Sequence, residues 1–93
     1  MKLLLCPHCG DVIVLKREPR SCECSRCTGK YLKDGLTAVY TDGIPFAIAN
    51  RSLIFMIRYQ NDDERKVPID AFSIDKDEKT YRKVTEDEFD EST

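Results

Sequence analysis

Tryptophan is absent from this 93-residue chain, histidine occurs once, and glycine and proline occur four times each. With one imidazole, no G-x-S-x-G elbow, no phosphate-binding glycine loop and no carboxylate pair in a recognisable frame, the sequence offers no catalytic set. The many acids read as solvated surface. The longest uninterrupted apolar run, Leu53 to Ile57, falls far short of the roughly 20 residues that span a bilayer, which excludes a membrane-spanning helix. Met1-Lys2-Leu3-Leu4-Leu5 opens like a secretory signal, but its apolar part stops at Cys6-Pro7, against the roughly 7 to 15 residues of a signal core. The expectation is therefore a cytoplasmic protein. There is no internal repeat and no low-complexity segment before the acidic end.

What the chain does contain is 41% hydrophobic and 34% charged residues, the composition of one small soluble domain. A core this small is marginally stable without a staple, since a domain of about 60 residues buries only about 60% of its unfolded surface. The net charge of −2 conceals an asymmetry: residues 1–33 carry seven Lys/Arg against three Asp/Glu, and residues 34–93 carry eight against fourteen. Such a split reads as two solvated surfaces or as a basic binding face with an acidic tail. Thr85 to Thr93 hold five acids and no base, which predicts a frayed, disordered tail after a single domain over 1–84. Within that domain, 1–30 is the cysteine-bearing part and 31–84 a sheet with a helix.

Val12-Ile13-Val14-Leu15 is β-branched and apolar, and reads as a strand that turns at Lys16-Arg17-Glu18-Pro19-Arg20. Asp34-Gly35 and Asp42-Gly43 flank Leu36 to Tyr40, with Ile44 to Ile48 following, which predicts hairpin-linked antiparallel strands. Pro45 cannot donate to a ladder and belongs at an edge or a strand start. Asn50 is placed to cap a helix over 51–60, although Leu53 to Ile57 is continuous and a buried strand fits the pattern nearly as well. If helical, Leu53, Ile54 and Ile57 share a face. Asn61 to Lys66 reads as a linker, Val67 to Ile74 as a strand, Asp75 to Lys79 as a turn, and Thr80 to Val84 as that strand's partner.

The strongest signal is the cysteine set. Cys6-Pro7-His8-Cys9-Gly10 forms a knuckle in which two intervening residues let both sulfurs point at one tetrahedral centre, with Gly10 permitting the tight turn. A second group, Cys22-Glu23-Cys24-Ser25-Arg26-Cys27, follows after a predicted strand and turn. Two chelating pairs separated in this way make a zinc ribbon, so zinc is the expected cofactor and a folding requirement. Cys6, Cys9 and Cys24 are ligands in either registration, with Cys27 or Cys22 as the fourth, and spacing alone favours Cys27. His8 lies inside the first knuckle and reads as an exposed ring. An odd number of cysteines argues against a complete disulfide framework.

Taken with Gly29 to Gly35, Ile48 to Ser52 and Ala71 to Ile74, these motifs resemble a group of small uncharacterised bacterial and phage zinc-ribbon-like proteins, up to about Val84. The resemblance implies a second knuckle of the form C-x-C followed by glycine, which maps onto Cys22 and Cys24 and leaves Cys27 as an extra thiol. Ser25 stands where that glycine would be; weighing resemblance against spacing, the expected ligand set is Cys6, Cys9, Cys22 and Cys24, with Cys27 as the alternative to Cys22. The resemblance implies no catalytic residue.

The fold class expected is α+β and mainly β: an N-terminal zinc ribbon continuing into a small antiparallel sheet with one short helix. Three functions compete. The first is a non-enzymatic, zinc-stabilised binding or regulatory module acting on a protein partner through Tyr31, Tyr40, Phe46 and the 53–57 run. The second is nucleic-acid binding through Lys16, Arg17, Arg20, Arg26 and Lys30, against an overall pI near 5.4. The third is thiol–disulfide exchange at Cys6 and Cys9, opposed by the missing βαβ context and by the three further cysteines.

Overall fold

The computed structural model describes residues 1–59, 68–75 and 77–93. Strands β1 (Lys2–Leu5), β2 (Val12–Val14), β6 (Ile44–Ile48) and β7 (Ala71–Ser73) form the first sheet in the order β2-β1-β6-β7, with every pair antiparallel. The second sheet runs β3 (Arg20–Ser21), β4 (Thr28–Tyr31), β5 (Ala38–Tyr40) and β8 (Tyr81–Lys83). Its last pair, β5 with β8, is parallel. Helix α1 (Asn50–Tyr59) follows β6, and α2 (Glu86–Glu91) ends the chain. The protein is thus mainly β with short helices.

Period-two alternation decides which side chains meet. Ile13 is buried between exposed Val12 and Val14, and it shares a sheet face with its directly opposed neighbour Leu4. Leu4, Ile13 and Leu15 pack against Ala38 and Tyr81 of the second sheet, with Tyr31, Tyr40 and Ile74 at the margin. The Tyr81 hydroxyl donates to the Leu3 carbonyl across the sheets, and burial raises its pKa. Tyr40 stands edge-on to Tyr81 at 5.4 Å between ring centroids. Tyr31 and Tyr40, whose pattern fits either a contact surface or the core, are partly buried against the core.

Asp34-Gly35 does close a hairpin, between β4 and β5. Asp42-Gly43 does not: β5 and β6 belong to different sheets, and the chain crosses there from the second sheet back to β1. Gly43, at φ +110°, makes that crossing where an added Cβ would lie 3.0 Å from the Leu5 carbonyl oxygen and 3.1 Å from Cys27 Sγ. Pro45 is the second residue of β6. Its carbonyl accepts from Ile74 N–H just beyond the end of β7, so the missing N–H faces the same way and the ladder to β1 is untouched. The strand expected over 67–74 is Ala71–Ser73, paired with β6; residues 80–84 pair with β5 instead of with it. Residues 60–67, which include the expected linker, lie outside the described residues. The run from Leu53 is helical, but Asn50 is no cap: its side-chain oxygen accepts from the N-terminal ammonium at 2.8 Å, and Ala49 provides the first helical acceptor, for Leu53 N–H.

The acidic end is also helical rather than frayed. Thr85 and Glu88 form a reciprocal capping box, and Glu86, Asp87 and Glu88 complement the positive end of α2. Phe89 is buried, and the Lys30 ammonium sits 4.5 Å from its ring centroid while donating to the carbonyls of Phe89 at 2.6 Å and Ser92 at 2.8 Å. Composition alone misses this because one apolar anchor and one buried cation carry the docking. Phe89→Ala is expected to cost about 3 kcal/mol or more in urea unfolding of the metal-loaded chain.

The β4–β5 turn supplies a pH test. Asp34 accepts from the Thr37 hydroxyl at 2.6 Å and from the N–H groups of Thr37 and Leu36, which together hold its carboxyl down from 3.8 to about 2. A depressed folded-state pKa means that its stabilisation is present above about pH 4 and disappears as the pH falls through about 2. Thermal unfolding of Asp34→Asn against the parent should show a gap at neutral pH that closes over this window.

Candidate metal centre

Each cysteine group sits at the tip of one hairpin, β1–β2 in the first sheet and β3–β4 in the second. In the first tip, Gly10 N–H donates to the Cys6 carbonyl at 2.8 Å with Gly10 at φ +76°, and Cys6 N–H returns to the Asp11 carbonyl at 2.9 Å. In the second, Ser25 N–H donates to the Cys22 carbonyl at 3.0 Å, and Cys22 N–H to the Cys27 carbonyl at 2.9 Å. Ser25 has φ +65°, the left-handed conformation, directly after the knuckle's second sulfur, as Gly10 does after Cys9. The Asp11 carboxylate accepts from Glu23 N–H at 3.0 Å and ties the two tips together.

The sulfurs of Cys6, Cys9, Cys22 and Cys24 all lie within 4.8 Å of one another. Cys24 Sγ stands 3.5 Å from Cys6 Sγ and 3.4 Å from Cys22 Sγ, and all five cysteines are free thiols. A metal held tetrahedrally at about 2.3 Å from four sulfurs needs them about 3.8 Å apart, so the cluster fits a closed tetrathiolate site. Cys6 and Cys22 are buried and Cys9 and Cys24 exposed, which puts the site at the rim of the core.

Four sulfurs this close cannot all ionise without a cation between them. Burial opposes ionisation of Cys22, but the Cys27 N–H and the neighbouring thiols outweigh it and bring Cys22 down to about 6. Cys6 is lowered against the same burial by the N–H groups of Cys9 and His8. Cys24 accepts from Arg26 N–H, yet burial and sharing its proton with Cys22, Cys6 and Cys9 push it up to about 12. Thiols lowered by backbone donors thus stand beside a thiol raised by its neighbours, and a metal ion bound among them would displace the protons that remain.

Cys27 stands apart from the four. It is fully buried, burial and the adjacent Cys6 raise it to about 12, and its backbone N–H donates to Cys22 Sγ at 3.3 Å. The registration preferred on spacing, Cys24 with Cys27, is not the one that converges; Cys22 with Cys24 is. His8 is also outside the cluster. Its ring lies between Arg26, 3.3 Å from Nδ1, and Asp42, 3.8 Å from Nε2. Sequence reasoning missed Asp11 and Gly43, the bridge between tips and the close approach behind them; the only hint was an Asp directly after the knuckle glycine.

Of the five cations proposed for nucleic acid, Lys16, Arg17, Arg20 and Arg26 are exposed, although Arg20 bonds the Val14 carbonyl and Arg26 faces His8. Lys30 is withdrawn from that set, since its ammonium is buried against the end of α2.

Two outcomes follow. Ser25→Gly removes the strain of a left-handed L-residue and should raise the stability of the metal-loaded chain by about 1 kcal/mol, read by urea unfolding. Cys27→Ala should retain a full complement of metal while Cys22→Ala and Cys24→Ala lose it, read by elemental analysis after desalting. Comparison with family models, with curated proteins and with solved structures found no match, and the four-cysteine cluster carries the functional reading.

Proposed function

We propose that the chain is a non-enzymatic, zinc-stabilised binding module of the cytoplasm that works through contact with another protein. The observation that carries this reading is the convergence of four cysteine sulfurs within 4.8 Å at the tips of two hairpins. Zinc suits four soft thiolates in a closed tetrahedron and brings no redox chemistry of its own. With all four positions taken by protein, no open site remains for a substrate or an activated water. Cys6 and Cys9 lie between two strands rather than opening a helix, which weighs against the thiol-exchange reading.

Nucleic-acid binding is the second reading, favoured by exposed Lys16 and Arg17 on the β2–β3 connection and Arg20 at the start of β3. Its mark would be retention on DNA or RNA that weakens steeply with salt. The protein-contact reading draws on a larger surface: α1 has no buried residue although half its side chains are apolar. No helix among the described residues is long and apolar enough to cross a membrane.

Removal of the metal tests the reading. A strong chelator should abolish the dispersed amide spectrum, and stoichiometric zinc should restore it, with one zinc per chain. Retention of the fold with no bound metal would contradict it.

A further inference from the structure

Exposure divides the four clustered sulfurs evenly. Cys6 and Cys22 are buried, while Cys9 and Cys24, one from each tip, are open to water. Cys24 is therefore a sulfur that a reagent in water can reach, and it has buried sulfurs directly behind it: Cys6 Sγ at 3.5 Å and Cys22 Sγ at 3.4 Å. These two contacts are not equivalent. A bridge from Cys24 to Cys22 would close a ring across a single intervening residue, which strains a tight turn. The contact with Cys6 spans 18 positions of the chain and joins the β1–β2 tip to the β3–β4 tip, the same two tips that the four ligands would hold together. Cys27 is fully buried and out of reach of a dissolved reagent.

From this arrangement we infer that the cluster is also an oxidation site, at which a hydroperoxide converts Cys24 and Cys6 to a disulfide across the two tips and so discharges the metal. The inference rests on the zinc-module reading and gives that module a means of regulation. Coordination holds a thiol in its deprotonated form, which is the nucleophile. The Cys24 thiolate attacks one oxygen of the peroxide: an S–O bond forms, the O–O bond breaks, and the departing hydroxide or alkoxide takes a proton from solvent. The Cys6 thiolate then attacks the Cys24 sulfur. An S–S bond forms, the S–O bond breaks, and the hydroxide that leaves takes a second proton. The two sulfurs together lose two electrons and the peroxide gains them, so hydrogen peroxide ends as two waters. Only Cys9 and Cys22 of the four ligands then remain, too few to retain the ion, while the new bridge keeps the tips joined.

The zinc-loaded, fully reduced chain is treated with a small excess of hydrogen peroxide and followed by a colorimetric zinc indicator, a free-thiol assay and peptide mapping. The expected result is release of the bound zinc, loss of two of the five free thiols, and a bridge mapped between Cys6 and Cys24. A dithiol reductant with added zinc should restore both thiols and metal, since a disulfide is reversible where sulfinic acid is not. Cys27→Ala keeps all four ligands and should release zinc at a rate within about twofold of the parent, through the same bridge. If that variant does not fold, Cys27→Ser replaces it. Zinc still bound with all five thiols free overturns the inference. So does sulfinic acid at Cys24 without a bridge, a bridge lacking Cys24 or Cys6, or a Cys27 variant that no longer forms it. Zinc content is measured before peroxide is added, so a reduced chain without metal contradicts the zinc reading separately from the bridge.

Discussion

Four cysteine sulfurs crowded at the meeting point of two hairpin tips are the constraint on which the rest of the structure depends. Uncompensated, four thiolates would repel one another, and burial together with the neighbouring sulfurs pushes Cys24 up to about 12. A divalent cation reverses that balance, turning repulsion into a cross-link between the first sheet, which supplies Cys6 and Cys9, and the second, which supplies Cys22 and Cys24. Structural zinc sites contribute about 10 to 16 kcal/mol, comparable to the whole stability of a small domain. Among the described residues the apolar core is slight: Leu3, Leu4, Ile13, Leu15, Ala38, Val39, Ala47, Tyr81 and Phe89 around the buried cysteines.

The second device is at the opposite end of the chain. The buried Lys30 ammonium binds the last carbonyls of α2 and leans on the Phe89 ring, so an acidic segment becomes a lid on the outer face of the second sheet. Helix α1, by contrast, has no buried residue. In the proposed reading a metal held by the four sulfurs would fix the two sheets against each other, and the chain would present α1 from that frame.

Much of this was legible in the sequence, and the exceptions share a cause. The knuckles, the strand at Val12–Val14 and the Asp34-Gly35 hairpin are local, set by residues within a few positions of one another. Pairings that depend on distant partners were not. Nothing near Asp42-Gly43 says that β6 returns to β1, and nothing near Tyr81 says that β8 will lie parallel to β5. Lys30 reads as one more surface cation until Phe89, 59 residues away, arrives beside it. Asn50 fits a capping position, yet its oxygen is taken by the chain's own N-terminus. In the site, spacing pointed to Cys27 because it ignores backbone conformation. The left-handed turn at Ser25 directs Cys24 and Cys22 inward together, and Cys27 is left behind them as a buried thiol.

X-ray absorption at the zinc edge of the natively purified chain tests the central claim most directly. The account predicts a shell of four sulfurs at about 2.3 Å with no nitrogen or oxygen, lost when either Cys22 or Cys24 is replaced. A shell containing nitrogen or water, or well-folded protein with no metal to measure, would contradict it.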